Sequence, residues 1–286
     1  MNSQPEALAM TKSPTRRNDT HQPKAPVDLY GAAYGGFATQ LYAEIRTEAF
    51  GEDIGQTSWL SAKEQDLFIP WLALHKHSRL LDVACGSGGP ALRIAERSGC
   101  TVYGVDVPIA AAQDQARKRG VTDRASFTVA DASKALQYAA GSFDAVVCID
   151  AINHFPDRSA VLVEWSRLLR VGGSAVFTDP IVVTGPLSNR EIAVRSSIGF
   201  FLFAPPGIDE RAIKAAGLTL QHVEDRTENM ANLAAQWLAA REARRVELVK
   251  IEGEESVDHQ AEFLSVAAKL ASERRLSRFL FHATKP

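Results

Sequence analysis

A glycine-rich turn carries the first residues suited to chemistry in this chain of 286 residues. The segment from Leu80 to Pro90 reads LLDVACGSGGP, an apolar run followed by closely spaced glycines. Such a turn between a strand and a helix lets backbone N–H groups approach a ligand at the helix N-terminus. Gly86, Gly88 and Ala91 also satisfy the pattern Gly-x-Gly-x-x-Ala, which keeps a dinucleotide-dependent oxidoreductase open as an interpretation.

Three aspartates stand close to the predicted ends of successive strands. Asp82 lies four residues before Gly86, where a carboxylate repels a pyrophosphate and attracts an ammonium group. Asp106 ends the second predicted strand, where a carboxylate can accept hydrogen bonds from both ribose hydroxyls. Asp131, followed by Ala132, ends the third strand and is placed for the exocyclic amine of an adenine. An ammonium group, a ribose and an adenine amine together describe S-adenosylmethionine.

With these residues the chain resembles the class I S-adenosylmethionine-dependent methyltransferases over roughly residues 79–177. The motifs in the order and spacing of that family are Asp82-x-x-x-Gly86-x-Gly88, Val105-Asp106-Val107, Ala130-Asp131-Ala132, Phe143-Asp144 and Leu168 to Gly173. The resemblance implies S-adenosylmethionine as the cofactor. It also implies a cofactor site built from Asp82, Ala84, Gly86, Gly88, Asp106, Val107, Asp131, Ala132 and Asp150.

The segment after the fourth predicted strand carries the candidate catalytic groups. Asp150 and His154 are four residues apart, so both can line one wall of a pocket. Histidine is the side chain best suited to exchange a proton near neutral pH. The alternative for His154 is that it caps or packs the following helix. This segment contains no Asn/Asp-Pro-Pro-aromatic tetrapeptide, which disfavours methylation of a nucleic-acid base amine.

From Tyr34 onward the chain is also similar to the phosphoethanolamine N-methyltransferases, in which an Asp and a His follow the fourth strand in this spacing. That resemblance implies that Tyr34 closes over the site and pairs with His154. It further implies that the loop residues Gln56, Thr57 and Ser58 contact the cofactor.

The sequence departs from that group over residues 197–206, where a Phe-rich apolar segment replaces the residues that hold a phosphate. Phe201 in this segment indicates either an apolar acceptor or packing of a helical cap on the sheet. Arg195 and Arg274 are candidate anion contacts of the substrate, although an exposed position on a helix is the commoner place for an arginine.

Short apolar runs alternate with helical segments from Arg79 onward, a pattern typical of a parallel sheet covered on both faces. We predict an α/β fold, a Rossmann-like, doubly wound sheet of seven mostly parallel strands, in a single domain over 28–286 behind a disordered tail over 1–27. The domain should comprise a helical lid over 28–75, a cofactor-binding core over 76–180 and substrate cap insertions over 181–206 and 226–275. One helix is expected over 62–74, and a helical pair in the cap over 230–250 and 257–273.

Composition excludes several other classes. Thirty-two basic residues against 34 acidic ones give a net charge of −2, which argues against a nucleic-acid partner. The apolar runs are too short for a membrane span, and the first residues lack the apolar core of a secretion signal. The three cysteines form no CxxC pair, which favours reduced thiols and a cytoplasmic location, and no metal site is predicted.

The sequence therefore predicts an S-adenosylmethionine-dependent methyltransferase with a small-molecule substrate. N-methylation of an amine is the favoured reaction, in which Asp150 positions the amine, His154 takes a proton and Tyr34 closes the lid. The alternatives are O- or C-methylation of a hydrophobic secondary metabolite, the dinucleotide-dependent oxidoreductase, and a cofactor-binding protein without catalysis.

Overall fold

The structure, a computed structural model, describes residues 37–286, so Tyr34 and the predicted tail over 1–27 lie outside the described residues. The helices are α1 (Gln40–Phe50), α2 (Ala62–Phe68), α3 (Gly89–Ser98), α4 (Ala110–Arg119), α5 (Arg158–Leu168), α6 (Asn189–Arg195), α7 (Ile208–Ala215), α8 (Thr227–Glu242), α9 (Arg245–Glu252) and α10 (Glu254–Ser272). The strands are β1 (Arg79–Val83), β2 (Thr101–Asp106), β3 (Ala125–Val129), β4 (Phe143–Cys148), β5 (Leu169–Val183), β6 (Thr219–Asp225) and β7 (Leu276–Thr284).

In the described part of the chain, seven strands form one sheet in the order β3-β2-β1-β4-β5-β7-β6. Strands β1 to β5 pair in parallel, and β7 lies antiparallel between β5 and β6. The predicted Rossmann-like, mostly parallel sheet is thereby confirmed. Its order reverses at β1, whose neighbours are β2 and β4, and open α/β sheets bind ligands at such a switch point.

Both faces of the sheet are buried, as the continuous apolar strands predict. Leu80 and Leu81 are fully buried and point into different hydrophobic clusters, one on each face. A third cluster lies away from the sheet, where Tyr42 and Ile45 of α1 pack against Leu233 of α8 and Leu264 of α10. The lid helix and the cap helices therefore share one core.

Two local expectations were wrong. The helix expected over 62–74 ends as α2 at Phe68 and continues as a 3-10 helix over Ile69–Leu72, where Pro70 lacks the N–H that an α-helix would use. The cap contains three helices instead of a pair, because the chain turns between α8 and α9 and Gly253, at a φ of 80°, separates α9 from α10. Within residues 37–286, no helix is long and apolar enough to cross a lipid bilayer.

Candidate active site

A cavity of about 560 Å³ opens at the carboxyl ends of β1, β2, β3 and β4, below helices α1, α8 and α10. We divide it into a strand-end half and a cap half. The strand-end half comprises cavity residues at the ends of β1 to β3 and in the turns after them. The cap half comprises the cavity residues of α1, α6, α8, α9 and α10 and the neighbouring segments at Trp59 and Ile198–Phe201.

Asp106 organises the glycine-rich turn of the strand-end half. Its Oδ2 accepts a hydrogen bond from Gly86 N at 2.7 Å, and its Oδ1 accepts one from Val107 N at 2.6 Å. Gly86 adopts a φ of 52°, the left-handed region in which glycine is least strained. The carboxylate therefore ties the end of β2 to the turn after β1, while Gly86, Asp106 and Val107 all line the cavity.

Asp82 is the buried carboxylate of this half. It is 5% exposed and lines the cavity, and no residue within 37–286 donates a hydrogen bond to its side chain. Burial raises the pKa of Asp82 well above its usual value, and the neighbouring Asp106 raises it further. An ammonium group beside Asp82 would favour its ionised form, so the position fits the amino group of S-adenosylmethionine.

Two glycines of the turn serve packing. Gly88 does not line the cavity, because a Cβ there would lie 2.8 Å from Ala112 Cβ and 2.9 Å from Phe127 Cζ. Gly89, which the sequence analysis missed, leaves room for the lid, since a Cβ there would lie 2.2 Å from Ile54 O. Gly88 therefore allows close packing against α4 and β3.

The lid residues Gln56, Thr57 and Ser58, predicted to contact the cofactor, line the cavity. The Gln56 side chain accepts a hydrogen bond from Ile54 N and donates one to Glu52 O, so it shapes its own loop. The Ser87 hydroxyl donates to Gly55 O and fastens this loop to the glycine-rich turn.

Beyond Asp106 the strand-end half continues with Ala84, Ala132 and Asp131. Asp131 Oδ1 accepts hydrogen bonds from Ser133 N at 3.0 Å and Ser133 Oγ at 2.6 Å, and Lys134 Nζ lies 2.9 Å from Oδ2. The hydrogen bond from the Ser133 side chain is the main reason that the pKa of Asp131 falls to about 2. This carboxylate is therefore ionised and remains a hydrogen-bond acceptor at the rim of the cavity.

Asp150 faces the cavity with both carboxylate oxygens already engaged. Oδ1 accepts from Thr178 Oγ1 and Arg278 Nε, each at 2.7 Å, and Oδ2 accepts from Trp59 N at 2.8 Å. Its φ of 54° is unusual for a residue other than glycine and places the side chain toward these partners. The expectation that Asp150 positions an acceptor amine is not supported by this geometry, because its carboxylate is held by the protein.

His154 stands at the end of the 3-10 helix Ile152–His154 and lines the cavity. Its Nδ1 donates a hydrogen bond to Phe200 O at 2.8 Å, and its ring meets Phe201 edge to face at 4.7 Å. Because Nδ1 carries the proton, the lone pair of the neutral ring is on Nε2. Burial lowers the pKa of His154, so the ring is predominantly neutral near pH 7.

The cap half is mainly aromatic. Trp59 stacks with Phe263 at 6.4 Å and meets Trp237 edge to face at 6.0 Å. Phe201 and Arg195, the candidate substrate contacts, both line the cavity. Arg195 is 1% exposed instead of lying on an exposed helix face, and its guanidinium lies 4.3 Å from the centre of the Phe263 ring.

Arg274 does not line the cavity. Its side chain is 62% exposed and forms an ion pair with Asp225. Arg274 lies in the turn before β7, outside the site, so the geometry does not support it as a substrate contact.

Arg278, which no sequence motif indicated, connects β7 to helix α2 and to the segment after β4. Arg278 is fully buried, and its Nη1 donates to Glu64 Oε1 at 2.6 Å while its Nε donates to Asp150. A signal was available, since a charged residue inside the apolar strand LSRFLFHAT requires a buried partner. Nothing in the sequence identifies that partner.

Comparison with known proteins identifies the family. A family model described as a methyltransferase domain matches residues 81–177, from β1 into β5. The 27-O-demethylrifamycin SV methyltransferase of Amycolatopsis mediterranei is 32% identical over 205 residues, which are 68% of this chain and 75% of that protein. A sterol 24-C-methyltransferase of Gibberella zeae is 35% identical over 209 residues, and the match spans 67% of this chain but only 54% of the relative.

A phosphoethanolamine N-methyltransferase structure from Haemonchus contortus superposes with a TM-score of 0.75 at 21% identity, covering 91% of this chain and 61% of that one, which shows the shared fold. The chain belongs to the class I S-adenosylmethionine-dependent methyltransferases. It uses S-adenosylmethionine and acts on a small molecule, so the oxidoreductase alternative is set aside. The names of the three similar proteins specify an oxygen, a carbon and a nitrogen, and thus leave the methylated atom open.

Proposed function

We propose that this methyltransferase methylates a hydroxyl group of a largely apolar small molecule, with His154 as the general base. The contrast between Asp150 and His154 carries the proposal. Asp150 has both oxygens bound to protein donors, whereas His154 is held as a neutral imidazole with its basic nitrogen at Nε2. The site thus offers His154 as the proton acceptor that a hydroxyl needs. It does not offer Asp150 as an available carboxylate that could pair with a cationic amine.

In this proposal the strand-end half binds the cofactor, which supplies a methyl group on a positively charged sulfur. Asp82 pairs with its amino group, Asp106 accepts hydrogen bonds from its ribose, and Asp131 accepts one from its adenine amine. The buried, unpaired carboxylate of Asp82 supports this assignment, because the bound cation would offset the cost of burying that charge.

His154 performs the proton transfer. Nε2 would accept the proton of the acceptor hydroxyl as its oxygen bonds to the methyl carbon. The electron pair of the broken sulfur–carbon bond would stay on the sulfur of the departing S-adenosylhomocysteine. The hydrogen bond from Nδ1 to Phe200 O fixes the ring and its tautomer. The edge-to-face contact with Phe201 limits rotation of the ring on its other side.

The cap half supports an oxygen acceptor over an amine. Arg195 places a positive charge in the wall of the cavity, which disfavours a protonated amine there. The aromatic side chains Trp59, Trp237 and Phe263 suit an apolar body. The name of the rifamycin relative, an O-demethylrifamycin methyltransferase, also supports oxygen as the accepting atom.

Methyl labelling tests the accepting atom. The protein is incubated with methyl-labelled S-adenosylmethionine and with phenols, alcohols and amines that share one carbon skeleton. We expect label on oxygen, and label on nitrogen alone would overturn the proposal. Measuring all acceptor classes at the same concentration makes the comparison direct.

Replacing His154 tests the base. His154→Ala should lower kcat by about 100-fold or more, while the Kd for S-adenosylhomocysteine should change less than about threefold, because the strand-end half is intact. His77→Ala, at an exposed histidine outside the cavity, is the matched control. Because burial lowers the pKa of His154, the wild-type rate should fall only below about pH 6.5. A His154→Ala rate close to that of wild type would remove His154 from the mechanism.

A further inference from the structure

A cluster of three polar residues lies in the cap half, on three different helices. Tyr42 of α1, Arg241 of α8 and Glu252 of α9 all line the cavity, and we call them the distal polar cluster. The Tyr42 hydroxyl donates a hydrogen bond to Glu252 Oε1, and Arg241 Nη2 donates one to Glu252 Oε2 at 2.7 Å. The Arg241 and Glu252 side chains are 7% and 5% exposed. The ion pair is thus buried in the wall of a cavity half that is mainly apolar and aromatic.

Burial of this pair is not explained by stability alone. Removing two charges from water costs free energy that their mutual attraction roughly offsets, so a buried ion pair adds little net stability over apolar residues. An ion pair that faces a cavity has a second use, because its polar atoms can reach a ligand. The unused atoms of the cluster therefore decide what it can bind.

Arg241 has hydrogen-bonding capacity to spare. A guanidinium carries five N–H donors, of which Glu252 takes one and the Tyr42 hydroxyl lies within reach of another. Within residues 37–286, the remaining donors have no acceptor. Gln260 of α10 also lines the cavity, and in the described chain its amide group has no hydrogen-bond partner. Donors from two helices consequently face the cavity together.

The charge of the cluster selects among ligands. Glu252 neutralises Arg241, and burial raises the pKa of Tyr42, which keeps its hydroxyl protonated as a donor. A carboxylate or phosphate would meet the negative charge of Glu252 beside Arg241. An uncharged oxygen, such as that of a ketone or an ester, can accept the spare hydrogen bonds without that repulsion.

An aromatic wall links this cluster to the catalytic side of the cavity. Trp237 precedes Arg241 by four residues on α8, so the two side chains lie on the same helix face. Trp237 contacts Trp59, and the backbone N–H of Trp59 is bonded to Asp150 on the segment that carries His154. A ligand that reaches from His154 to Arg241 thus lies along aromatic rings.

We infer that the distal polar cluster and Gln260 bind an uncharged carbonyl-type oxygen of the acceptor, remote from the hydroxyl that is methylated. The acceptor class is then a hydroxy-carbonyl compound with an apolar or aromatic body between its two oxygen functions. This inference rests on the proposed O-methylation for the placement of the hydroxyl. The recognition of the carbonyl is a separate property, because it requires binding and no methyl transfer.

Three small probes test the inference in the presence of S-adenosylhomocysteine, which blocks turnover. They are 4-(4-hydroxyphenyl)butan-2-one, 4-butylphenol, which lacks the ketone, and 3-(4-hydroxyphenyl)propanoate, which carries a charge. Titration followed by tryptophan fluorescence gives the three values of Kd. We expect the ketone to bind about tenfold tighter than 4-butylphenol, and the carboxylate to bind more weakly than the ketone.

Two variants then locate the preference. Gln260→Leu and the double variant Arg241→Gln/Glu252→Gln should bring the two neutral probes to within about threefold of each other while leaving the Kd for 4-butylphenol nearly unchanged. The matched control is Arg245→Gln/Asp258→Asn, which removes an exposed ion pair of 2.6 Å on the cap helices outside the cavity. The control should keep the wild-type preference.

Several results would overturn the inference. One such result is that the wild-type protein binds neither neutral probe, or binds both with equal Kd. Another is a lower Kd for the carboxylate than for the ketone. A third is a ketone preference that stays unchanged in both cavity variants. Label on nitrogen in the methylation experiment would overturn the proposed O-methylation, yet it would leave the measured carbonyl preference standing. The two failures are therefore distinguishable.

Discussion

The strand-end half of the cavity draws its polar groups from residues 82–133, whereas the cap half draws on segments from Tyr42 to Phe263. In the strand-end half, Asp106 and Gly86 are bonded across 20 residues of sequence. Outside the cavity lining, Arg278 of β7 is bonded to Glu64 of α2 across 214 residues. The first half thus follows from where neighbouring parallel strands end, while the second depends on side chains that only the complete fold brings together.

This difference predicts that substitutions in the two halves fail in different ways. Polar groups of the strand-end half face the cavity and should affect binding more than folding. Charged groups behind the cap half connect distant segments and should affect folding first.

The largest effect is expected for Arg278→Met, measured as the free energy of unfolding in urea. The variant leaves the buried carboxylates of Asp150 and Glu64 without their common cation, and removal of one partner from a buried pair costs about 3–5 kcal/mol. Arg278→Lys keeps the charge and should lose less. Adding Asp150→Asn and Glu64→Gln to the Met variant should restore part of the loss. A loss below about 1 kcal/mol in the Met variant would remove the distinction between the halves.

A smaller effect, on binding, is expected for Asp106→Asn. The carboxylate of Asp106 has two oxygens that serve Gly86 N, Val107 N and the ribose, whereas an amide has only one oxygen. The Kd for S-adenosylhomocysteine should therefore rise about 30-fold, which is a loss of roughly 2 kcal/mol in binding free energy. The free energy of unfolding should change by less than about 1 kcal/mol. Titration calorimetry and urea unfolding give the two values, with the exposed Asp123→Asn as control. Unfolding as severe as that of Arg278→Met would contradict the comparison.

The smallest effect is a fraction of a proton released when cofactor binds. In the free protein, burial and Asp106 raise the pKa of Asp82, so the carboxyl retains its proton to a higher pH than usual. An ammonium group beside it favours the ionised form and lowers that pKa, and binding between the two values therefore releases protons. Calorimetry in buffers of different ionisation enthalpy measures the number released. Proton uptake, or release that persists unchanged in Asp82→Asn, would contradict the assignment.

Much of the fold and of the strand-end half could be predicted, for a physical reason. Apolar strands alternating with helices leave few arrangements other than a doubly wound sheet, and parallel strands bring their carboxyl ends to one edge. Asp82, Asp106 and Asp131 accordingly line one cavity. The packing of Gly88 against Phe127 could not be predicted, because the spacing of glycines does not distinguish close approach to a ligand from close approach to a neighbouring side chain.

The cap half and the segment after β4 were less predictable. The pattern identified Asp150 and His154 as neighbours on one wall, yet the partners of Asp150 come from Trp59, Thr178 and Arg278, which no local spacing connects. The same limit applies to Arg195, whose helix ends inside the cavity wall instead of facing solvent.

By itself, the sequence determined the sheet, the family and the acidic residues at the strand ends, because strand periodicity and short turns are local properties of the chain. Only the tertiary structure decided that Asp150 is held by Arg278, that Nε2 of His154 is its basic nitrogen, and that Arg241 and Glu252 meet in the cavity wall. Buried charges acquire their partners through packing between distant segments, and that packing assigns each group either to the scaffold or to the site.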